Sequence, residues 1–236
     1  GTGKTHTAVR ILESWAKMDI GTILAVADSN VAVDNLLEGL LARGVRVVRL
    51  GQPVKVREKL RMATMDAKME THPLRRDLDT QLNLNEKLNR RINSLKGKEK
   101  GLAYRDIKKG WKEIRRIENQ IRDDILDRIQ VVCCTCIGAG NEILDGRRFP
   151  QVLIDEATQA TEPASLVPLT RGARQVVLVG DHKQLPPTVI SFRAEEKGLK
   201  RSLFERLVDL GIEPLLLSTQ YRMHPAISKF PNQHFY

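Results

Sequence analysis

Two stretches of this chain carry residue types that do phosphate chemistry. The first is GTGKTHTA, which opens the sequence. Gly1, Thr2, Gly3, Lys4 and Thr5 fit the last five positions of the phosphate-loop pattern G-x-x-x-x-G-K-[ST]. In such a loop, backbone N–H groups at the start of a helix point at phosphates. Lys4 would reach the β- and γ-phosphates, and Thr5 would offer its hydroxyl to Mg²⁺. The second stretch is VLIDEATQATEP, whose apolar run ends in Asp155 and Glu156. That pair suits a metal-nucleotide site, with Asp155 holding Mg²⁺ and Glu156 activating a water. An acidic pair after a strand is, taken alone, equally well a solvated turn. A GTGKT followed by an apolar run and Asp-Glu is much rarer, and the combination points to nucleotide binding. The first three loop positions, and the strand that should feed them, are expected outside this sequence.

For the two stretches to meet, they must lie at one edge of a sheet. VLID and QVVLVGD, the latter ending in Asp181, are short β-branched runs of the kind found in buried parallel strands. Ligands of open α/β sheets sit beyond the carboxyl ends of such strands. TILAVA, VRVVRLG and QVVCCTC read as further strands. Between them, Lys4 to Lys17 has helical spacing at Val9, Leu12 and Ala16. In ADSNVAVDNLLEGLLARG, Ser29 or Asn30 can cap a helix with Val33, Leu36, Leu37, Leu40 and Leu41 on one face, ended by Gly44. EPASLVPL starts like a helix with Pro163 near its first turn. Residues 199–210 read as an amphipathic helix closed by Gly211, and LLLS as a strand. The tail from Thr219 reads as polar, without a closing strand. This alternation predicts an α/β fold with a parallel, doubly wound sheet.

Over 52–129 strand signals vanish. Leu84, Leu88, Ile92 and Leu95 form one helical stripe, broken around Gly97 and Gly101. Ile107, Trp111, Ile114, Ile121 and Ile125 form a second. Two helices of about 20 residues, each about 30 Å long, would make an antiparallel hairpin inserted into the sheet domain. Gly110 inside the second helix costs about 1 kcal/mol and allows a kink. The chain's net charge is +10, and residues 55–128 hold 21 Lys and Arg against 13 Asp and Glu. Nearly all the excess sits in this segment, which is the footprint of a polyanion partner or a solvated helical face. A strut or a docking arm for a protein partner are the other uses of such a hairpin.

Composition sets the remaining bounds. Of the 236 residues 41% are hydrophobic, enough for a core, and no apolar run approaches the length of a membrane span. Cys133, Cys134 and Cys136 fall in one strand-like run, where neighbours alternate faces and no second Cys/His pair lies at metal spacing. Free thiols in a reducing compartment are expected.

The set GTGKT, SNVAVDNL, RLG, CTC, DEATQATEP, GDHKQLPP and QYRMHP resembles superfamily 1 helicases. Within them it is most similar to the up-frameshift-like group, which includes the nonsense-mediated decay helicase and relatives that unwind RNA or DNA. The match spans the chain except the helical insertion, and seven motifs in order are specific. Asp28 departs from it, since relatives usually carry Pro before the Ser-Asn pair. The resemblance implies a RecA-like P-loop NTPase sheet with a helical-hairpin insertion. The first lobe would cover 1–51 and 130–213, the insertion 52–129, and the start of a second lobe 214–236. ATP and Mg²⁺ would be the cofactors, single-stranded RNA or DNA the partner, and the cytoplasm or nucleus the compartment. Asp155 would bind Mg²⁺ and Glu156 polarise the attacking water. Gln184 would sense the γ-phosphate. Arg222 would act as an arginine finger, and Tyr221 would stack on adenine or lie in the core. Ser29, Asn30 and Thr135 would contact the sugar–phosphate backbone, positioning the strand without reading its sequence. His182 and His224 lie inside GDHKQLPP and QYRMHP and are read as motif residues, not metal ligands. The chain would be an ATPase-lobe fragment, inactive by itself.

Two other classes are open to the residues. A P-loop ATPase for remodelling or transport would share GTGKT and Asp-Glu but not GDHKQLPP and QYRMHP. A non-catalytic nucleic-acid-binding module would not need Lys4, Thr5, Asp155 and Glu156 intact.

Overall fold

Five apolar runs pair into one all-parallel sheet in the computed structural model of the chain, which describes residues 1–52 and 55–235. Pro53 and Val54, inside the expected insertion, and Tyr236, at the end of the expected second-lobe segment, lie outside the described residues. The strands are β1 (Ile23–Ala27), β2 (Val47–Arg49), β3 (Val131–Thr135), β4 (Gln151–Asp155) and β5 (Gln175–Leu178), in the order β2-β3-β1-β4-β5. Every residue of β1 and β4 is buried, the state that continuous β-branched runs serve in a two-sided sheet. Ala27 is in register with Thr135 on one side and Asp155 on the other. The carboxyl ends of β3, β1 and β4 are therefore level.

The described residues divide into two compact units, Gly1–Arg61 with Ile129–Tyr236, and Met62–Arg128. In the first, helix α1 (Lys4–Met18) buries Ala8, Val9, Leu12, Trp15 and Ala16. Helix α2 (Asn30–Leu41) is capped by Ser29, whose Oγ accepts from the Ala32 N–H at 3.1 Å. Val33, Leu36, Leu37 and Leu40 are fully buried, each such side chain contributing about 1.5–3 kcal/mol. Leu41, expected on the same face, is 40% exposed at the last turn. Gly39 lets α1 and α2 cross closely, because a Cβ there would stand 2.7 Å from Val9 Cγ2.

Further along, helix α6 (Glu162–Leu169) starts with its proline in the first turn as expected. Two differences follow it. Residues 199–210 give a helix only over Leu203–Asp209, because Ser202 caps it from inside the segment. Leu215–Leu217, read as a strand, form no ladder, and Leu215 is 99% exposed. An apolar triplet becomes a strand only where a partner edge accepts its backbone groups. The tail, read as polar and without a closing strand, forms a helix over Pro225–Phe235.

The second unit is helical. Helix α3 (Met65–Glu70) precedes α4 (Arg75–Arg91) and α5 (Gly97–Asp127), of 17 and 31 residues where two of similar length were expected. Helix α5 buries Ala103, Ile107, Ile114, Ile117, Ile121 and Ile125, and Ile92 with Ala103 and Ile107 forms a local core against Leu88 and Leu95. The expected stripes are shifted at two places. Leu84 and Trp111 are half exposed, and α4 buries Leu78 and Asn85 instead, at 2% and 4% exposed. Gly110 produces no break in α5. A Cβ on it would overlap the Asn85 amide, so this glycine makes room for a buried polar side chain.

Candidate nucleotide site and its surroundings

The left-handed backbone of Gly3, φ 84°, turns the chain into α1. No side chain caps that helix, so the N–H groups of its first turn remain available to an anion. Lys4 and Thr5 follow at once and are half-buried. The Thr5 hydroxyl donates to Asp155 Oδ2 at 3.1 Å, and Lys4 Nζ stands 4.0 Å from Asp181 Oδ2. The phosphate-loop residues and the ends of β4 and β5 thus converge at the carboxyl edge of the sheet.

Asp155 is 1% exposed. Burial, and next the adjacent Glu156 carboxylate, push its carboxyl up to about 6, against the stabilising Glu156 N–H and Thr5 hydroxyl. A buried carboxylate in hydrogen-bond contact with a hydroxyl is a hard-oxygen donor pair. It fits Mg²⁺, which takes one or two carboxylates and completes its shell with phosphates and water. Glu156 adopts φ 51°, one of two non-glycine residues with positive φ among the described residues. Such backbone costs on the order of 1 kcal/mol or more.

Asp181 joins this group and was named above only as a strand end. Its Oδ2 accepts from Gln184 Nε2 at 2.6 Å, so one carboxylate reaches both Lys4 and Gln184. Its backbone N–H donates to Thr158 Oγ1 at 3.2 Å. The position was legible as the acidic end of an apolar run, but its partners were not.

The tail reaches the same place. The Tyr221 N–H donates to the Gly1 carbonyl at 3.0 Å, and a side chain at position 1 would collide with Arg222. Gln220 Oε1 accepts from the Arg222 and Met223 N–H groups at 2.9 and 2.7 Å, which holds the turn. Tyr221 is 80% exposed among the described residues. A cleft of about 1010 Å³ is lined by Gly1, Thr2, Gly3, Lys4, Thr5, Glu156, Gln184, Tyr221 and Arg222 among others.

Ser29, Asn30 and Thr135 lie apart from this cleft's lining, at the ends of β1 and β3. The Ser29 and Thr135 oxygens accept backbone N–H groups, from Ala32 and Gly138, at 3.1 Å each. Asn30 Oδ1 instead accepts from Arg49 Nη2 at 2.7 Å. Arg49 is 1% exposed, pairs with the buried Asp34 at 3.4 Å and donates to the Leu50 carbonyl, while Asp34 also accepts the Arg57 N–H at 3.0 Å. This network was missed, and its signal was an arginine inside a valine-rich strand.

The three cysteines are free and buried, and burial pushes each thiol up to about 12. Among the described residues no His, Cys, Asp and Glu cluster could hold a metal by itself, and no helix is long and apolar enough to cross a membrane. His182 lies against Phe204, and His224 Nδ1 accepts from the Ala226 N–H.

Known proteins share this arrangement of sequence. An AAA domain family model matches residues 1–192, and a second AAA domain model matches residues 199–236. The chain is 46% identical over 237 residues to the regulator of nonsense transcripts 1 homolog of Arabidopsis thaliana. It is 42% identical over 236 residues to the ATP-dependent helicase NAM7 of Saccharomyces cerevisiae. It is 36% identical over 277 residues to an uncharacterized ATP-dependent helicase of Methanocaldococcus jannaschii. Each match takes in 100% of this chain, but only 18%, 23% and 41% of those proteins.

Proposed function

The chain belongs to the AAA-domain family and to the up-frameshift-like group of superfamily 1 helicases, and on that footing we propose that it is the first RecA-like lobe of an ATP-dependent 5′-to-3′ helicase. Its substrates are ATP and single-stranded RNA or DNA. Residues 1–51 and 130–213 form that lobe, 52–129 are its insertion, and 214–236 begin the second lobe. Cytoplasm or nucleus is the compartment we assign, on the three free thiols.

The observation that carries this reading is the convergence of Lys4, Thr5, Glu156, Gln184 and Arg222 on one cleft, with Asp155 beneath it. Lys4 meets the β- and γ-phosphates, which it reaches by leaving Asp181. Thr5 and Asp155 would hold Mg²⁺, which would supply positive charge against that building on the transferred phosphoryl oxygens. Glu156 accepts a proton from the attacking water. Gln184, already tied to Asp181, is placed to register whether a γ-phosphate occupies the cleft. Arg222 stabilises charge on the same oxygens, and Tyr221, exposed beside Gly1, is free to stack on the base. Ser29 and Thr135 donate to backbone phosphates from neighbouring strand ends, and Asn30 supports that edge through Arg49. Closing and opening of the nucleotide cleft moves the strand by steps.

The test is ATP hydrolysis by the full-length protein with and without single-stranded RNA or DNA. Stimulation by the strand, lost in Lys4→Ala, is the expected result. Hydrolysis indifferent to any strand would instead place the chain with remodelling or transport ATPases.

A further inference from the structure

The exposed side of α5 carries a pattern that the packing of the helix does not require. Tyr104, Lys108, Trp111 and Arg115 recur at i, i+4, i+7 and i+11, so they line up along one face. Tyr104 is 56% and Trp111 52% exposed, on a helix whose isoleucines are buried. Arg116, off this face, closes onto Glu113. Neither Lys108 nor Arg115 has an ion-pair partner among the described residues.

Trp111 is also held. With its amide turned so that donors meet acceptors, Asn85 accepts from Trp111 Nε1 at 3.1 Å and donates to the Ile107 carbonyl at 3.2 Å. Asn85 is buried from the opposite helix, and Gly110 is what admits it. A polar side chain in a helical core is costly unless it is satisfied. Here its partner is an indole with a ring face left in solvent. The bond fixes the ring before any ligand arrives, which lowers the ordering cost of binding.

We propose that this face of α5 is a stacking platform for single-stranded nucleic acid, with bases on Trp111 and Tyr104 and phosphates on Lys108 and Arg115. Interleaved aromatics and cations suit a flexible polyanion whose bases are unpaired, and such contacts tolerate any sequence. Seven residues separate the two rings by about 10 Å along the helix, about three nucleotide rises of a stacked strand. The platform rests on the strand-binding reading above and assigns part of that binding to the insertion.

Single-strand affinity of the full-length protein, measured across several salt concentrations with Trp111→Ala, Trp111→Phe and Lys108→Gln, tests it. Trp111→Ala should weaken binding about fivefold to a hundredfold, the loss of one stacked base, without changing the salt slope. Lys108→Gln should reduce the slope of log K against log salt by about 0.7. Trp111→Phe keeps a ring but loses the bond to Asn85, and should bind between parent and Trp111→Ala. Subtracting its fluorescence isolates the Trp111 signal, which the strand should quench. Tyr104→Ala, which breaks no hydrogen bond among the described residues, should weaken binding even if Trp111→Ala disturbs the hairpin. Parent-like affinity in both alanine variants, with no quenching, would overturn the platform and leave the face to a protein partner. A parent protein that binds no strand at all would instead overturn the helicase reading.

Discussion

The Thr5 hydroxyl donates to Asp155 across 3.1 Å, joining residues 150 positions apart in the chain. One lies at the start of the first helix and the other at the end of a central strand. Their meeting brings a phosphate-facing helix terminus and a buried carboxylate to one point, where the charge of a nucleotide is best compensated.

Lys4→Ala removes the cation proposed to meet the transferred phosphate. In the full-length protein, strand-stimulated hydrolysis should fall about 100-fold or more, as on loss of a preorganised charge partner, and nucleotide affinity should fall with it. Steady-state hydrolysis with a nucleotide-binding assay measures both. Near-parent turnover would remove Lys4 from the site.

Glu156→Gln keeps shape and loses the carboxylate proposed to accept the proton. Nucleotide should still bind, while turnover drops about 10²- to 10⁴-fold, the usual worth of a general base. Single-turnover hydrolysis of bound nucleotide separates the two effects. Parent-like turnover would put the base elsewhere.

Gln184 shares the Asp181 carboxylate with Lys4. Gln184→Ala should leave nucleotide binding in place and sharply reduce stimulation by single strands. The ratio of stimulated to basal hydrolysis is the readout, and an unchanged ratio would take Gln184 out of the coupling.

Gly110→Ala separates two views of that glycine. As a flexible helix residue it would be improved by alanine, by about 1 kcal/mol. As the residue that admits Asn85 it should be harmed, since overpacking costs about 1–3 kcal/mol. Denaturant unfolding should show net destabilisation of the helical unit, and a more stable variant would contradict the packing described.

The three thiols, pushed up to about 12 in the fold, should resist alkylation near pH 8 and react only on unfolding, when they return to about 8.5. Because the folded values are raised, their contribution to stability is complete below about pH 8.5 and is lost as pH climbs toward 12. Thiol labelling in native and denatured protein, with melts from pH 7 to 10, checks rate and sign.

Local features were legible without coordinates. Continuous β-branched runs marked the strands, because a strand covered on both faces of a sheet draws mostly apolar residues, although β5, read the same way, is partly exposed. The Ser29 cap and the α1 and α2 stripes were legible because capping and helical periodicity act within a turn or two. The limits appeared where a distant partner decides. Leu215–Leu217 has strand composition but pairs with no edge among the described residues. Asn85 and Gly110 look like two weak points on two helices and are one contact between them. Arg49, inside a strand of valines, is tolerated because Asp34, Asn30 and the Leu50 carbonyl satisfy its guanidinium. Residue types alone named the groups capable of phosphate chemistry. That Arg222 lies against Gly1, and that Asp181 reaches both Lys4 and Gln184, follows from strand order and loop path, which bring together groups that no local periodicity relates.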